Sequence, residues 1–368
     1  TCWHVAAGWT RMGADATALS VWLEQAGPIP LDVSFSCGSG ELLALVGPSG
    51  SGKTTVLRAI AGLYHPRNGR ICADGELWFD TQARVDLAPQ VRRVGLVFQD
   101  YALFPHLSAL DNVRLAMLHM AEPARSRLAS ALLARVSLGG LDARRPDQLS
   151  GGQRQRVAIA RALARDPRVL LLDEPFSAVD RNTRDALKEE LAALHRSLEV
   201  PIVFVTHDLE EAQALADRIC VLDGGKTLQV GLPDDVRLRP TSARVARLMG
   251  QKNLIAATVD DAGHIRCGST RLAVSSLNGW RAGEQAIALV PPDAIALIGG
   301  EGPTENVVSG TVSNVQQLGD LAALTLELPQ GTLRFRIAAR EAVARSVKVG
   351  ARIRVHLDPG TIHMMRED

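Results

Sequence analysis

The chain has 368 residues, 46% hydrophobic and 22% charged, which suits two or three packed domains and excludes a mostly disordered protein. Forty-one basic and forty acidic side chains leave a formal net charge of +1, without the basic excess of a nucleic-acid binder. No apolar run approaches the ~18–20 residues that cross a bilayer, and five scattered cysteines without a Cys-x-x-Cys pair argue against a disulfide framework or zinc site and suit a reducing compartment.

Residues 1–18 read as an N-terminal extension. They show no basic start followed by an apolar block, so no secretory signal is expected, and Met12 is a candidate for the natural start. From Ala18 to about Asp235 short apolar runs alternate with helical patterns, as in an α/β domain. Glu41–Val46 reads as a buried strand and Thr54–Leu63 as a helix closed by Gly62. Between them, Gly47-Pro48-Ser49-Gly50-Ser51-Gly52-Lys53-Thr54-Thr55 fits Gly-x-x-x-x-Gly-Lys-[Ser/Thr] in the strand–loop–helix context that gives the pattern its meaning. Glycines let backbone amides wrap an anion, and the helix N-terminus adds partial positive charge. Lys53 would reach the β- and γ-phosphates of a nucleotide, and the Thr54 hydroxyl would ligate Mg²⁺.

Farther on, Leu149-Ser150-Gly151-Gly152-Gln153-Arg154-Gln155-Arg156 precedes a helix expected from about Val157 to Arg165. Ser150 is an N-cap candidate, and Gly151 and Gly152 would admit a phosphate to the backbone. A second anion-binding helix start has no obvious use in one nucleotide domain unless it serves another subunit's nucleotide. Val169–Leu172 is an apolar strand ending in Asp173-Glu174-Pro175. A buried parallel strand delivers such tip residues into a nucleotide crevice, where Asp173 can hold Mg²⁺ and Glu174 can orient and deprotonate water. A helix follows near Arg181–Leu198, with Leu187, Leu191 and Leu194 at helical spacing, then a strand at Ile202–Val205.

The pattern changes near Gly250. Arg237–Met249 reads as a linking helix, with Val245 and Leu248 on one face. Beyond it come short alternating strands, such as Leu333–Ile337 with Arg334 and Arg336 outward, and Ile353–Leu357 with Arg354 and His356 outward. Period-two alternation over several short segments predicts a small, half-exposed β-barrel.

With these motifs in this order, roughly Leu19 to Asp235 resembles the ATP-binding cassette (ABC) transporter ATPases. The resemblance implies an α/β P-loop NTPase cassette at 19–236 with a helical subdomain at about 100–165. A linker at 237–252 and a small all-β, oligonucleotide-fold (OB-like) regulatory barrel at 253–368 would follow. It also implies further site residues. Gln99, in Val97-Phe98-Gln99-Asp100, would contact Mg²⁺ and water, in a loop that senses a membrane partner. Ser177-Ala178-Val179-Asp180 matches the loop crossing the dimer interface, with Asp180 facing nucleotide and Val179 where leucine is usual. His207, in Thr206-His207-Asp208, would contact the γ-phosphate. The aromatic that stacks on adenine in the family falls near Glu24 here, with Trp22 as the substitute on the same strand face.

Two cassettes, as a homodimer, would clasp each ATP between Gly47–Thr55 of one and Ser150–Gln153 of the other. Two integral-membrane permease subunits would receive the motion at Asp100–Val113, with exposed Tyr101 and Phe104 as anchors. The barrel favours import, with a periplasmic solute-binding protein as indirect partner and the cytoplasmic face of the inner membrane as location. Gly75–Asp80, the insert to Pro89 and Arg92–Gly95 resemble molybdate-type cassettes, so molybdate or another oxyanion is the expected solute, ahead of sulfate, ferric iron, polyamine or sugar. DNA-acting ABC ATPases would show a long heptad coil between Gln99 and Leu149, and ribosome-associated ones a second phosphate loop. The sequence contains neither.

Overall fold

The computed structural model describes residues 17–177, 179, 181–260, 263–299 and 303–367. They form two compact units that divide between Pro233 and Asp234. Asp180, Ala178 and most of the N-terminal extension lie outside the described residues.

In the first unit, β1 (Thr17–Gln25), β2 (Leu31–Gly38) and β3 (Leu42–Val46) lead into α1 (Lys53–Ile60). Then come β4 (Asn68–Ala73), β5 (Glu76–Asp80), β6 (Val85–Asp86) and β7 (Val94–Val97). The helical stretch holds α2 (Ala109–Arg114), α3 (Ala124–Arg135) and α4 (Gly151–Leu163). It returns through β8 (Val169–Asp173), α5 (Arg181–Arg196), β9 (Ile202–Val205), α6 (Leu209–Leu215), β10 (Arg218–Asp223) and β11 (Lys226–Gly231). One eleven-stranded sheet runs β6-β5-β4-β1-β2-β11-β10-β3-β9-β8-β7. From β10 to β7 the pairings are parallel, and these strands are almost wholly apolar because helices cover them. The β1–β6 end is antiparallel.

Local chemistry explains the helix limits. α1 stops where Gly62 takes φ 77°, a left-handed turn that glycine adopts without a Cβ clash. Its carbonyl end is held by Arg92, a fully buried guanidinium that donates to Ala59 O at 2.7 Å and Ile60 O at 2.9 Å. Arg92 also donates to Leu87 O at 2.8 Å and pairs with Asp86 at 3.0 Å, so it fastens the β6–β7 connection to α1. Leu187, Leu191 and Leu194 are all buried, as the spacing in α5 predicts.

The second unit opens with α7 (Pro233–Leu238) and α8 (Ala243–Leu248) in place of the single helix expected over 237–249. Pro240 has no N–H to continue the helical ladder, and Ser242 recaps the chain by accepting from Val245 N. Ala243 and Ala246 then pack with Leu289 and Met365 of the following sheet. β12 (Leu254–Val259), β13 (His264–Cys267), β14 (Thr270–Ala273), β15 (Gln285–Leu289), β16 (Ile295–Leu297), β17 (Val307–Leu318), β18 (Leu321–Leu328), β19 (Gly331–Ala338), α9 (Ala339–Ala344), β20 (Arg352–Leu357) and β21 (His363–Met365) complete it. The strands form two five-stranded antiparallel sheets, β14-β13-β12-β15-β21 and β16-β20-β17-β18-β19, around one core. Leu333, Phe335 and Ile337 face inward between the exposed Arg334 and Arg336. The fold class read from the sequence is observed: a P-loop α/β unit followed by an all-β, OB-like unit.

Candidate nucleotide-binding site

Four functional segments leave the C-terminal ends of parallel strands that lie side by side. Gly47 follows β3, Gln99 follows β7, Asp173 and Glu174 end β8, and His207 follows β9. Sequence separations of more than a hundred residues thus converge on one edge of the sheet.

The phosphate loop is built from backbone that side chains would obstruct. Gly47 has φ 153°, and a Cβ there would lie 1.9 Å from Leu222 O. Gly50 and Gly52 take φ 80° and 96°, with Gly52 as the N-cap of α1. Pro48, Ser49, Ser51 and Thr55 complete the loop and the first turn, with Ser51 N donating to Pro48 O at 3.2 Å. Lys53 lies almost buried along the loop and donates to Gly47 O at 2.8 Å and Pro48 O at 2.9 Å. Burial lowers its pKa, while the nearby Glu174 and Asp173 oppose that shift.

Thr54 Oγ1 donates to Asp173 Oδ1 at 3.1 Å. Burial raises the Asp173 pKa, with the Thr54 bond opposing it and the neighbouring Glu174 adding to it. A partly desolvated carboxylate beside a hydroxyl is an all-oxygen donor pair, which suits a hard divalent cation completed by substrate phosphates. Among the described residues, no cluster of three His, Cys, Asp or Glu forms a cage for a metal on its own.

Glu174 sits at the centre of the remaining groups. Gln99 Nε2 donates to its Oε2 at 3.2 Å, and His207 Nδ1 lies 3.3 Å from its Oε1. Glu174 takes φ 45°, uncommon for a non-glycine residue, and its backbone is pinned by N–H donation to Val205 O at 3.0 Å. Ser177 Oγ donates back to Glu174 O at 2.9 Å. The chain beyond His207 is set by Asp208, which caps α6, and by a buried bond from Thr206 Oγ1 to Glu211 Oε2 at 2.6 Å.

Ser150 and Gln153 bond to each other, not to the strand tips. Gln153 N donates to Ser150 Oγ at 3.2 Å and Ser150 N donates to Gln153 Oε1 at 2.9 Å, a reciprocal cap. The helix starts directly at Gly151, earlier than the Val157 expected, with Ser150 exposed and Gly152 buried. Trp22 is half-buried and shares its strand face with the exposed Glu24.

One reading of Asp100–Val113 changes. Tyr101 is buried and is not an exposed anchor, whereas Phe104 is 45% exposed. Tyr101 and Ala102 take φ 62° and 46°, and Arg161 of α4 holds that turn by donating to their carbonyls at 2.8 and 2.6 Å. Sequence reasoning named Ser177 and Thr206 only as members of their motifs, without a role of their own, and did not single out Arg161. Arg161 lacks a local motif in a chain whose positive charge is nearly all arginine.

The family described as ABC transporter matches residues 31–177, and the family described as TOBE domain matches residues 288–365. The sulfate/thiosulfate import ATP-binding protein CysA of Caulobacter vibrioides is 40% identical over 330 residues, covering 87% of this chain and 92% of that protein. The spermidine/putrescine import ATP-binding protein PotA of Methylococcus capsulatus is 44% identical over 271 residues, covering 71% of this chain and 68% of that protein. Among solved structures, a dimeric bacterial ABC transporter cassette is 31% identical with a TM-score of 0.50, covering 58% of this chain and 98% of that one. The loop, the strand tips and the appended β unit lead to the same place as these matches: the chain is an ATPase that belongs to the import-type ATP-binding proteins of ABC transporters with a C-terminal TOBE domain.

Proposed function

We propose that Glu174 is the general base of ATP hydrolysis, held by Gln99 and His207, and that two copies of the chain share each ATP. The observation that most supports this is the grouping of Gln99 and His207 on the two Glu174 carboxylate oxygens, at 3.2 and 3.3 Å. Glu174 would accept a proton from the attacking water, His207 would hold the γ-phosphate, and Gln99 would orient the water. Lys53 and the backbone N–H groups of Gly47–Thr55 other than Pro48, which has none, would cradle the phosphates, with Ser49, Gly50, Ser51 and Gly52 in the loop. Thr54 and Asp173, with Gln99, would hold Mg²⁺, which when bound neutralises charge on the phosphate oxygens. Ser150, Gly151, Gly152, Gln153 and Asp180 would serve the partner cassette's nucleotide. The exposed, self-capped Ser150 helix start supports that assignment, because Ser150 is open to solvent and bonds to Gln153 and not to its own strand tips.

In this reading residues 19–236 form the motor, 237–252 link, and 253–368 regulate. Among the described residues no helix is long and apolar enough to cross a membrane. The motor would act peripherally at the cytoplasmic face, on two permease subunits fed by a periplasmic binding protein. The solute is read as an oxyanion of the sulfate kind. CysA, matched over most of both chains, supports sulfate or thiosulfate in place of molybdate, and PotA supports a polyamine as the second reading. Reconstitution with the cognate permease tests this. Labelled sulfate should enter vesicles only with ATP and intact Lys53, and uptake of spermidine but not sulfate would reverse the order.

A further inference from the structure

Glu211 of α6 is a buried acid, only 4% exposed, a few residues beyond His207. Burial raises its pKa and Asp208 adds to the shift, while the Thr206 bond and the charges of Arg184 and Lys188 oppose it. A buried carboxylate is costly unless its oxygens are satisfied. The start of α6 does not require it, because Asp208 Oδ1 already caps that helix, accepting from Glu210 N at 2.8 Å and Glu211 N at 3.3 Å.

What the acid holds is the hydroxyl of Thr206, itself 1% exposed. Thr206 Oγ1 donates to Glu211 Oε2 at 2.6 Å, within the roughly 2.5–2.7 Å span of bonds from a hydroxyl to a carboxylate. The same oxygen accepts from Asp208 N at 2.9 Å. A peptide N–H can only donate, so Thr206 accepts there and gives its own proton to the acid. The hydroxyl therefore bridges over His207, tying the residue before it to the residue after it. Arg184 lies on the other oxygens, with Nη1 3.8 Å from Asp208 Oδ2 and Nε 4.0 Å from Glu211 Oε1. The His207 side chain is 63% exposed, so the backbone on either side, and not packing, aims its ring at Glu174. We propose that Glu211 is a positioning residue for hydrolysis, which acts through the Thr206 hydroxyl to fix the His207 peptide and hold the imidazole at the reacting phosphate. This rests on reading His207 as the γ-phosphate contact.

Single-turnover and steady-state phosphate release by the full chain test it, together with the ring signals of ¹³C-labelled histidine. Glu211→Leu should lower kcat roughly tenfold, the scale of one lost charge-assisted hydrogen bond, with KM for ATP changed less than about twofold. Thr206→Val removes only the hydroxyl and should do the same, whereas Glu211→Gln, which keeps an accepting oxygen, should recover most of the rate. Added to His207→Ala, Glu211→Leu should cost less than about twofold more. The His207 ring signal, identified by its loss in His207→Ala, should shift in Glu211→Leu while that of His363 stays in place. A full further loss in the His207→Ala background, an unmoved His207 signal, or unchanged kcat in both Glu211→Leu and Thr206→Val would each overturn the proposal while leaving the role of His207 intact. Undiminished turnover in His207→Ala would overturn that role and the proposal with it.

Discussion

Asp173 carries a charge that its surroundings resist. Its pKa is raised by burial, so between the ordinary carboxylate value and the raised one the native state binds more protons than the unfolded chain. Stability from this group therefore falls as pH rises through that window. Asp173→Asn keeps an oxygen for the Thr54 hydroxyl and removes the charge. It should raise the Tm of the nucleotide-free chain at neutral pH, while abolishing Mg²⁺-dependent hydrolysis. A lowered Tm would show that the ionised carboxylate is stabilising. Glu174→Gln acts differently, because the amide preserves size but cannot take a proton. Turnover should fall by roughly 10²–10⁴ with ATP affinity changed only a few-fold, read by phosphate release and equilibrium binding. Undiminished hydrolysis would remove Glu174 from the base role.

Elements show what kinds of information a sequence exposes. The strand–loop–helix around Gly47–Lys53 was legible because glycine, lysine and threonine have distinct physical uses at fixed spacing, and the acid pair was legible because it ends an apolar run. Gly47→Ala should abolish nucleotide binding, since a methyl would meet Leu222 O at 1.9 Å on backbone already at φ 153°. Calorimetric titration with ATP checks this. Arg92 is the opposite case. The sequence placed it only in a family-like stretch, whereas the fold buries it as the cap of α1 and the anchor of the β6–β7 connection. Arg92→Met should cost about 2–4 kcal/mol in urea unfolding, because it strands three backbone carbonyls and an acid. A loss below about 0.5 kcal/mol, the size of an ordinary surface change, would refute that role. Tyr101 was misread for a related reason. Loops have no periodicity to tell an inward ring from an outward one, and a carbonyl clamp from Arg161 sixty residues later decides it.

At the scale of the whole molecule, α/β order and β alternation were enough to separate the two fold types, because periods of 3.6 and 2 report burial directly. The break at Pro240 was legible in principle, since a proline followed by a capping Ser242 interrupts a helix locally, but the packing of α8 was not, because it depends on Leu289 and Met365 of the following sheet. The two halves of the nucleotide machinery present a similar division. The strand tips assemble within one chain, while Ser150 and Gln153 satisfy each other and face outward. An ATP site shared between two copies would resolve this division, and sedimentation velocity tests it most directly. Glu174→Gln with Mg²⁺-ATP should sediment as a dimer, and the same protein carrying Ser150→Arg should remain monomeric while still binding nucleotide. A nucleotide-loaded Glu174→Gln protein that stays monomeric, or a dimer indifferent to Ser150→Arg, would contradict the shared site.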